Sequence, residues 1–239
     1  MVIYDLKSIT TMNPNSSNPA DDNAQGSASP QATTDRRGRR QVETRERLLR
    51  TAMKLFAERG FFETTVEDIT DAADVGKGTF FNYFPSKEHV LGAFGEIQRG
   101  KIEAALIEAR ASKTPFSVQF RRLGDALLEE PGRSPAFLRS AMIAHLSSDS
   151  VRKHLCTNLA LSRQKLAEFL ALGQQRGELR RDIEALELAR GVQESFFGSM
   201  LLWCLHEGSD LKSWYEPLFR LVWSGLDSRA ARADSPSKE

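Results

Sequence analysis

The chain has 239 residues, 40% of them hydrophobic and 27% charged, with a formal net charge of +1. That is length enough for one large or two small domains with a real core, and no window reaches the ~18 apolar residues of a membrane-crossing helix. The near-neutral total hides an asymmetry, because positions 36–59 hold nine Arg/Lys against three Glu, a net of +6 that leaves −5 for the rest.

Residues 1 to about 35 are rich in Asn, Ser, Pro, Ala, Thr and Asp and nearly free of apolar clusters after Ile9. They cannot bury enough surface to offset ordering entropy, so 1–40 is expected to be a disordered tail with a basic end. Its start, MVIYDLKSITTMNP, lacks a basic n-region and a long apolar run, which argues against a signal peptide and for a soluble cytoplasmic protein. Arg36-Arg37-Gly38-Arg39-Arg40 is either a loose linker or a flexible arm that grips phosphates or enters a minor groove. A basic block beside an acidic remainder is the electrostatic footprint of a nucleic-acid-binding segment joined to something else. Thr44 to Arg59 is the first predicted helix, with Leu48, Ala52, Leu55 and Phe56 in one stripe and Gly60 as its stop. Phe61 and Phe62 are expected in the core.

The stretch TVEDITDAADVGKGTFFNYFPSK, Thr65 to Lys87, organises the chain. Thr65 caps a short helix, with Asp68 three positions on in a capping-box arrangement. Val66, Ile69, Ala72 and Ala73 give that helix one narrow apolar face, and Ala73 is small where a second helix must cross. Asp74-Val75-Gly76 is a turn, since Asp and Gly tolerate awkward backbone angles. The second helix, Lys77 to Tyr83, buries Phe80 and Phe84 and exposes Lys77, Gly78, Thr79, Asn82 and Tyr83. A short exposed helix of donors beside a basic block suits a DNA major groove. Pro85-Ser86 ends it, and Ser86 is expected to cap the next helix at Lys87.

Read as TTVEDI followed by AADVGKGTFFNYFPSKEHVL, this stretch resembles the DNA-binding domain of TetR-type transcription regulators, over roughly Val42 to Gly100. The resemblance implies a helix-turn-helix at 66–85 inside a DNA-binding domain at 41–103, with Thr79 and Asn82 on base edges, Lys77 and Gly78 beside them, and Tyr83, Lys87, Thr65 and Arg45 toward phosphates. Asp74 stands where the family usually has Gly. Phe81 stands where a Tyr that contacts a phosphate is usual, so this chain lacks that hydroxyl.

Lys87 to about Arg110 continues a 3.6-residue rhythm, long enough to belong to two domains; in the resembled family the corresponding helix links head to body. Helices are further predicted from Pro115 to Glu130, from Ser134-Pro135 through Leu146, from a Ser148 or Asp149 cap to Arg176, from an Asp182 cap to Glu207, and from Trp214 to Asp227, with Pro217 in the first turn of the last. No strand-period segment stands out. The expected fold is therefore all-α: a three-helix N-terminal domain, a long linking helix, an effector-binding and dimerisation domain over 104–228, and a polar tail at 229–239.

Ser195 to Leu205, SFFGSMLLWCL, is apolar all round and has to be covered on both sides. Gly191, Ser195, Gly198 and Leu202, with Leu218, Leu221 and Val222 of the final helix, are assigned to a homodimer contact; the resemblance implies a four-helix bundle there. Phe116, Phe120, Phe137, Met142, His145, Phe169, Phe197, Met200 and Trp203 are candidates to line an effector pocket for an apolar or aromatic small molecule. Cys156 and Cys204 read as reduced structural thiols, and neither they nor His89, His145, His154 and His206 have ligand spacing, so no metal or cofactor is expected. With no nucleophile–base pair, phosphate loop or paired carboxylates, an enzyme is not expected. The sequence points to a DNA-binding regulator, a repressor acting on a palindromic operator as a homodimer. The alternative is a helical small-molecule-binding or scaffolding protein that has lost operator readout.

Overall fold

The computed structural model describes residues 30–206 and 210–228, the side chains of 30–37, 130, 132 and 133 excepted. These form an all-α fold whose elements are α1 (Pro30–Arg59), α2 (Val66–Ala72), α3 (Lys77–Tyr83), α4 (Lys87–Ala111), α5 (Phe116–Arg133), α6 (Pro135–Ser147), α7 (Asp149–Gln175), α8 (Ala185–Cys204) and α9 (Leu211–Leu226). Among the described residues there is no strand, and one isolated bridge pairs Leu179 with Asp227. Residues 1–29 of the expected disordered tail 1–40, and the tail 229–239, lie outside the described residues.

Several helix starts differ from the sequence expectation. α1 begins at Pro30, not Thr44, so the basic run 36–40 lies on the helix and not on a loose arm. Proline suits a first helical turn, and the Ala, Arg, Gln and Glu that follow are good helix formers without an apolar stripe. Thr44 lies inside the helix, its hydroxyl donating back to the Arg40 carbonyl at 2.8 Å. Ser86 does not cap α4 through its side chain and instead pairs with His89 Nδ1 at 3.0 Å. α8 starts at Ala185, because the Asp182 carboxylate is taken by Arg180 Nε and Nη2 at 2.9 and 2.6 Å. α9 starts three residues early, at Leu211, on an Asp210 cap that accepts from Ser213 N at 2.9 Å. Pro217 therefore falls in its second turn. Gly60 (φ 90°), as expected, and Gly177 (φ 74°) stop their helices in the left-handed region.

Two apolar clusters hold the molecule. One joins α1, α2, α3 and the first half of α4 to α6 and to the junction of α8 and α9, through Phe56, Phe80, Phe84, Val90, Phe137, Trp203 and Tyr215 among others. The other gathers the second half of α4 with α5, α7 and α8 around Phe116, Phe169 and Leu170. α4, roughly 37 Å long, passes from the first cluster to the second between Ile97 and Ile102. Phe62 departs from expectation: it is 49% exposed and meets Phe61 edge-on at 5.4 Å, while Phe61 is buried.

Candidate functional site

The α2–turn–α3 unit is built from local hydrogen bonds. Thr65 Oγ1 accepts from Asp68 N at 3.1 Å, and Asp68 Oδ2 accepts from Thr65 N at 2.8 Å and from its hydroxyl at 2.6 Å. Those bonds, chiefly from the hydroxyl, with Arg59 beside them, hold the Asp68 carboxyl below its ordinary range. Arg59 Nη1 reaches Asp68 Oδ1 at 3.1 Å and so ties α2 to α1. In the turn Asp74 has φ 52°, the left-handed conformation that Asp accepts more readily than most side chains. The chain then doubles back, with Val75 N bonded to Thr70 O at 3.0 Å.

α3 buries Phe80 and leaves Lys77, Gly78, Phe81 and Asn82 exposed, with Thr79 and Tyr83 half-buried. The Lys77 ammonium ion-pairs with Glu67 across the turn. Arg45 reaches Glu96 at 3.1 Å and lies 5.4 Å from the Phe84 ring centre. Lys87 turns inward: its Nζ donates to the carbonyls of Phe61 (2.9 Å), Phe62 (3.2 Å) and Thr64 (2.9 Å) and sits over the Phe61 ring. An ammonium has three protons, and the α1–α2 loop takes all three. Thr65 likewise spends its hydroxyl proton on Asp68.

Beneath the head, α4 to α9 enclose a cavity of about 200 Å³. Phe120, Met142, His145, Phe197 and Met200 line it as expected, together with Leu91, Phe94, Gln98 and Ile102 of α4 and Leu155, Leu159 and Leu166 of α7. Four candidates do not. Phe116 and Phe169 stack on each other at 4.6 Å, Phe137 packs against Phe94 at 5.3 Å, and Trp203 is buried in the cluster shared with the head. All four are fully or almost fully buried, and their register turns them toward neighbouring helices instead of the void. Gln98 Nε2 and His145 Nδ1 are buried with no hydrogen-bond partner. Burial pushes the His145 pKa down, with the Ala141 carbonyl pulling weakly the other way. Burial pushes the Tyr215 phenol, which donates to the Phe196 carbonyl, far up. Gln98 and Tyr215 escaped the sequence reading because a lone polar residue on an apolar helix face carries no motif.

The face assigned to dimer contact is open. Gly191 and Ser195 are exposed, Leu202 and Leu221 are 54% and 70% exposed, and Gly198, Leu218 and Val222 are half-buried. A Cβ added at Gly191 or Gly198 meets nothing within 4 Å. Among the described residues no group of three or more His, Cys, Asp or Glu could hold a metal ion, and no helix is long and apolar enough to cross a membrane.

A family profile described as bacterial regulatory proteins, tetR family, matches residues 48–94. The transcriptional repressor DhaR of a Mycobacterium species is 31% identical over 164 residues, 66% of this chain and 80% of that protein. The repressor KstR of Mycobacterium tuberculosis is 26% identical over 195 residues, 79% of this chain and 84% of its own. The crystal structure of Thermus thermophilus FadR, a repressor in complex with lauroyl-CoA, superposes with a TM-score of 0.58 at 31% identity, covering 82% of this chain and 99% of FadR. With its helix-turn-helix head, its linking helix and relatives alike over most of their length, the chain belongs to the TetR family and is a DNA-binding transcription regulator.

Proposed function

We propose that the protein is a repressor that grips a two-fold operator as a homodimer and lets go when an apolar effector fills the cavity under the head. One observation carries this reading. Leu91 of α4 belongs both to the head core and to the cavity lining, so whatever enters the cavity pushes on the helix that positions α2 and α3. The similar FadR holds lauroyl-CoA, and the apolar lining here suits an acyl-like ligand.

Two heads on a two-fold axis read half-sites about one helical turn, ~34 Å, apart. The open α8–α9 face supplies the contact between protomers. Thr79 and Asn82 read base edges, with Lys77 and Gly78 beside them; Tyr83 and the first-turn N–H groups behind Thr65 hold phosphates. Arg45 and Lys87 act mainly by fixing the head on α4 and on the α1–α2 loop. Exposed Lys77 and Asn82 favour retained readout over the scaffolding alternative. Binding DNA also implies a cytoplasmic location.

Footprinting on the DNA that flanks the protein's own gene tests the proposal. The expected result is a symmetric pair of protected half-sites that disappears when an acyl ligand is added. Protection without symmetry, or protection that no cavity ligand alters, would overturn it.

A further inference from the structure

We infer that the effector is an anionic amphiphile whose tail fills the apolar cavity and whose negatively charged head sits in a cationic cleft beside it. The inference rests on the effector role proposed for that cavity. The cleft, about 500 Å³, opens where head and body meet, between α1, the end of α3, α4 and α7. Arg45, Arg99 and Lys153 line it against one carboxylate, Glu96, which Arg45 already engages. Lys153 has no hydrogen-bond or ion-pair partner among the described residues. His89 and His154 complete the wall, their ring centres 4.6 Å apart. The excess positive charge is what an anionic group would balance.

Cavity and cleft share Gly92, His154 and Asn158. The partition between them is the Asn158 amide, whose Nδ2 donates to Gly92 O at 3.2 Å and whose Oδ1 accepts from Arg99 Nη1 at 2.9 Å. Leu91, Leu155 and Leu159 line the cavity within one helical turn of it. A carboxylate or phosphate in the cleft gives Arg99 a charged acceptor in place of a neutral amide, and charge-assisted bonds are about twice as strong. Asn158 is then free to swing aside and let an attached chain through. The same head group sits against Arg45 and Tyr83, which belong to the DNA-binding head. An anionic effector therefore touches both units, whereas a neutral apolar one reaches the head only through the cavity-lining helices α4 and α6.

The test is calorimetric binding of decanoate, decyl phosphate and decanol to the full-length protein, at fixed salt and below their micellar concentrations. The tail is common to all three and only the head differs. Both anions are expected to bind roughly tenfold or more tighter than decanol, and Lys153→Gln or Arg99→Gln to narrow that ratio by about threefold or more. The carboxylate and phosphate arms distinguish which head the cleft prefers. Decanol binding as tightly as the anions, Lys153→Gln weakening all three alike, or no binding by any of them would overturn the inference. If decanol binds and releases operator as well as decanoate does, the cavity keeps its effector role and the cleft assignment alone falls.

Discussion

Phe81→Tyr should make the protein a tighter DNA binder. Phe81 lies on α3 with 52% of its surface exposed and meets Phe80 edge-on at 5.5 Å. In the resembled family a Tyr at this position contacts a phosphate. A hydroxyl added to an exposed ring stays in water in the free protein, so folding neither gains nor loses appreciably. On DNA it donates to a charged oxygen, a bond worth about 1.5–3 kcal/mol net of the water it displaces. Taking a conservative figure of roughly 1–1.5 kcal/mol per head, two heads give about 2–3 kcal/mol, a gain of roughly 30- to 150-fold in affinity. The assay is fluorescence anisotropy with the footprinted operator at several salt concentrations. Because the hydroxyl is neutral it releases no counterion, so affinity should rise with the salt slope unchanged. Unchanged or weaker binding by a variant that melts like the parent would show that this face of α3 does not meet the backbone, and the docking orientation would have to be redrawn.

Other expected outcomes separate structural from contact roles. Lys87→Met removes the ammonium shared by three carbonyls and should lower head stability by about 2 kcal/mol in thermal melts. It should weaken all DNA sequences alike and leave the salt slope intact; a slope smaller by about one per head would instead make Lys87 a phosphate contact. Leu202→Arg places charge on the exposed α8 face and should yield monomers in sedimentation, with operator affinity lost but the melting temperature of the protomer little changed. Leu155→Trp fills part of the cavity and should block effector binding while operator binding persists, read as a repressor deaf to ligand. Burial holds the His145 pKa below its ordinary 6.5, so the unfolded chain takes up a proton the folded chain resists. That stability is complete above about pH 6.5 and is lost as pH falls below it; melts from about pH 7.5 to 5.5 should fall less steeply for His145→Gln than for the parent.

The head was legible to the residue where punctuation is strong. Gly76 before Lys77 and Phe84-Pro85 after Tyr83 leave α3 no freedom in length, and Thr65 with Asp68 announces the start of α2. The start of α1 was not legible, because its first turns carry no apolar stripe and only propensity, a weak signal, speaks for them. Asp210 with Ser213 three residues on was a readable cap for α9, but Pro217 drew the expected start toward itself. The cavity was half legible. Apolar periodicity identifies which residues face inward, yet Phe116 and Phe120, one turn apart on α5, face inward with different outcomes: one packs on Phe169, the other meets the void. The cationic cleft was invisible, since Arg45, Arg99 and Lys153 come from three distant helices and share no spacing.

That cleft alters how the linking helix is to be understood. A lever moved only by pressure from an apolar ligand needs a stiff contact along its length, and α4 has an interruption. Gly92 and Gly95 leave a notch into which Asn158 of α7 fits so closely that a Cβ at Gly95 would stand 2.8 Å from its amide nitrogen. The notch lies among the residues that α4 gives to the head core, Val90, Leu91, Ala93 and Ile97, and above Ile102, where α4 joins the body cluster. Asn158 thus holds the head half of the lever to α7 at Gly92 and, through Arg99, the stretch where the two clusters part, by hydrogen bonds that a competing anion can exchange. Packed apolar surfaces resist graded deformation, whereas a hydrogen-bonded amide has discrete alternatives. On the proposed mechanism the two-state element needed for ligand-dependent release is the seating of one amide between two helices, and a shift of α4 on its release is what paired heads would magnify into a mismatch with their half-sites.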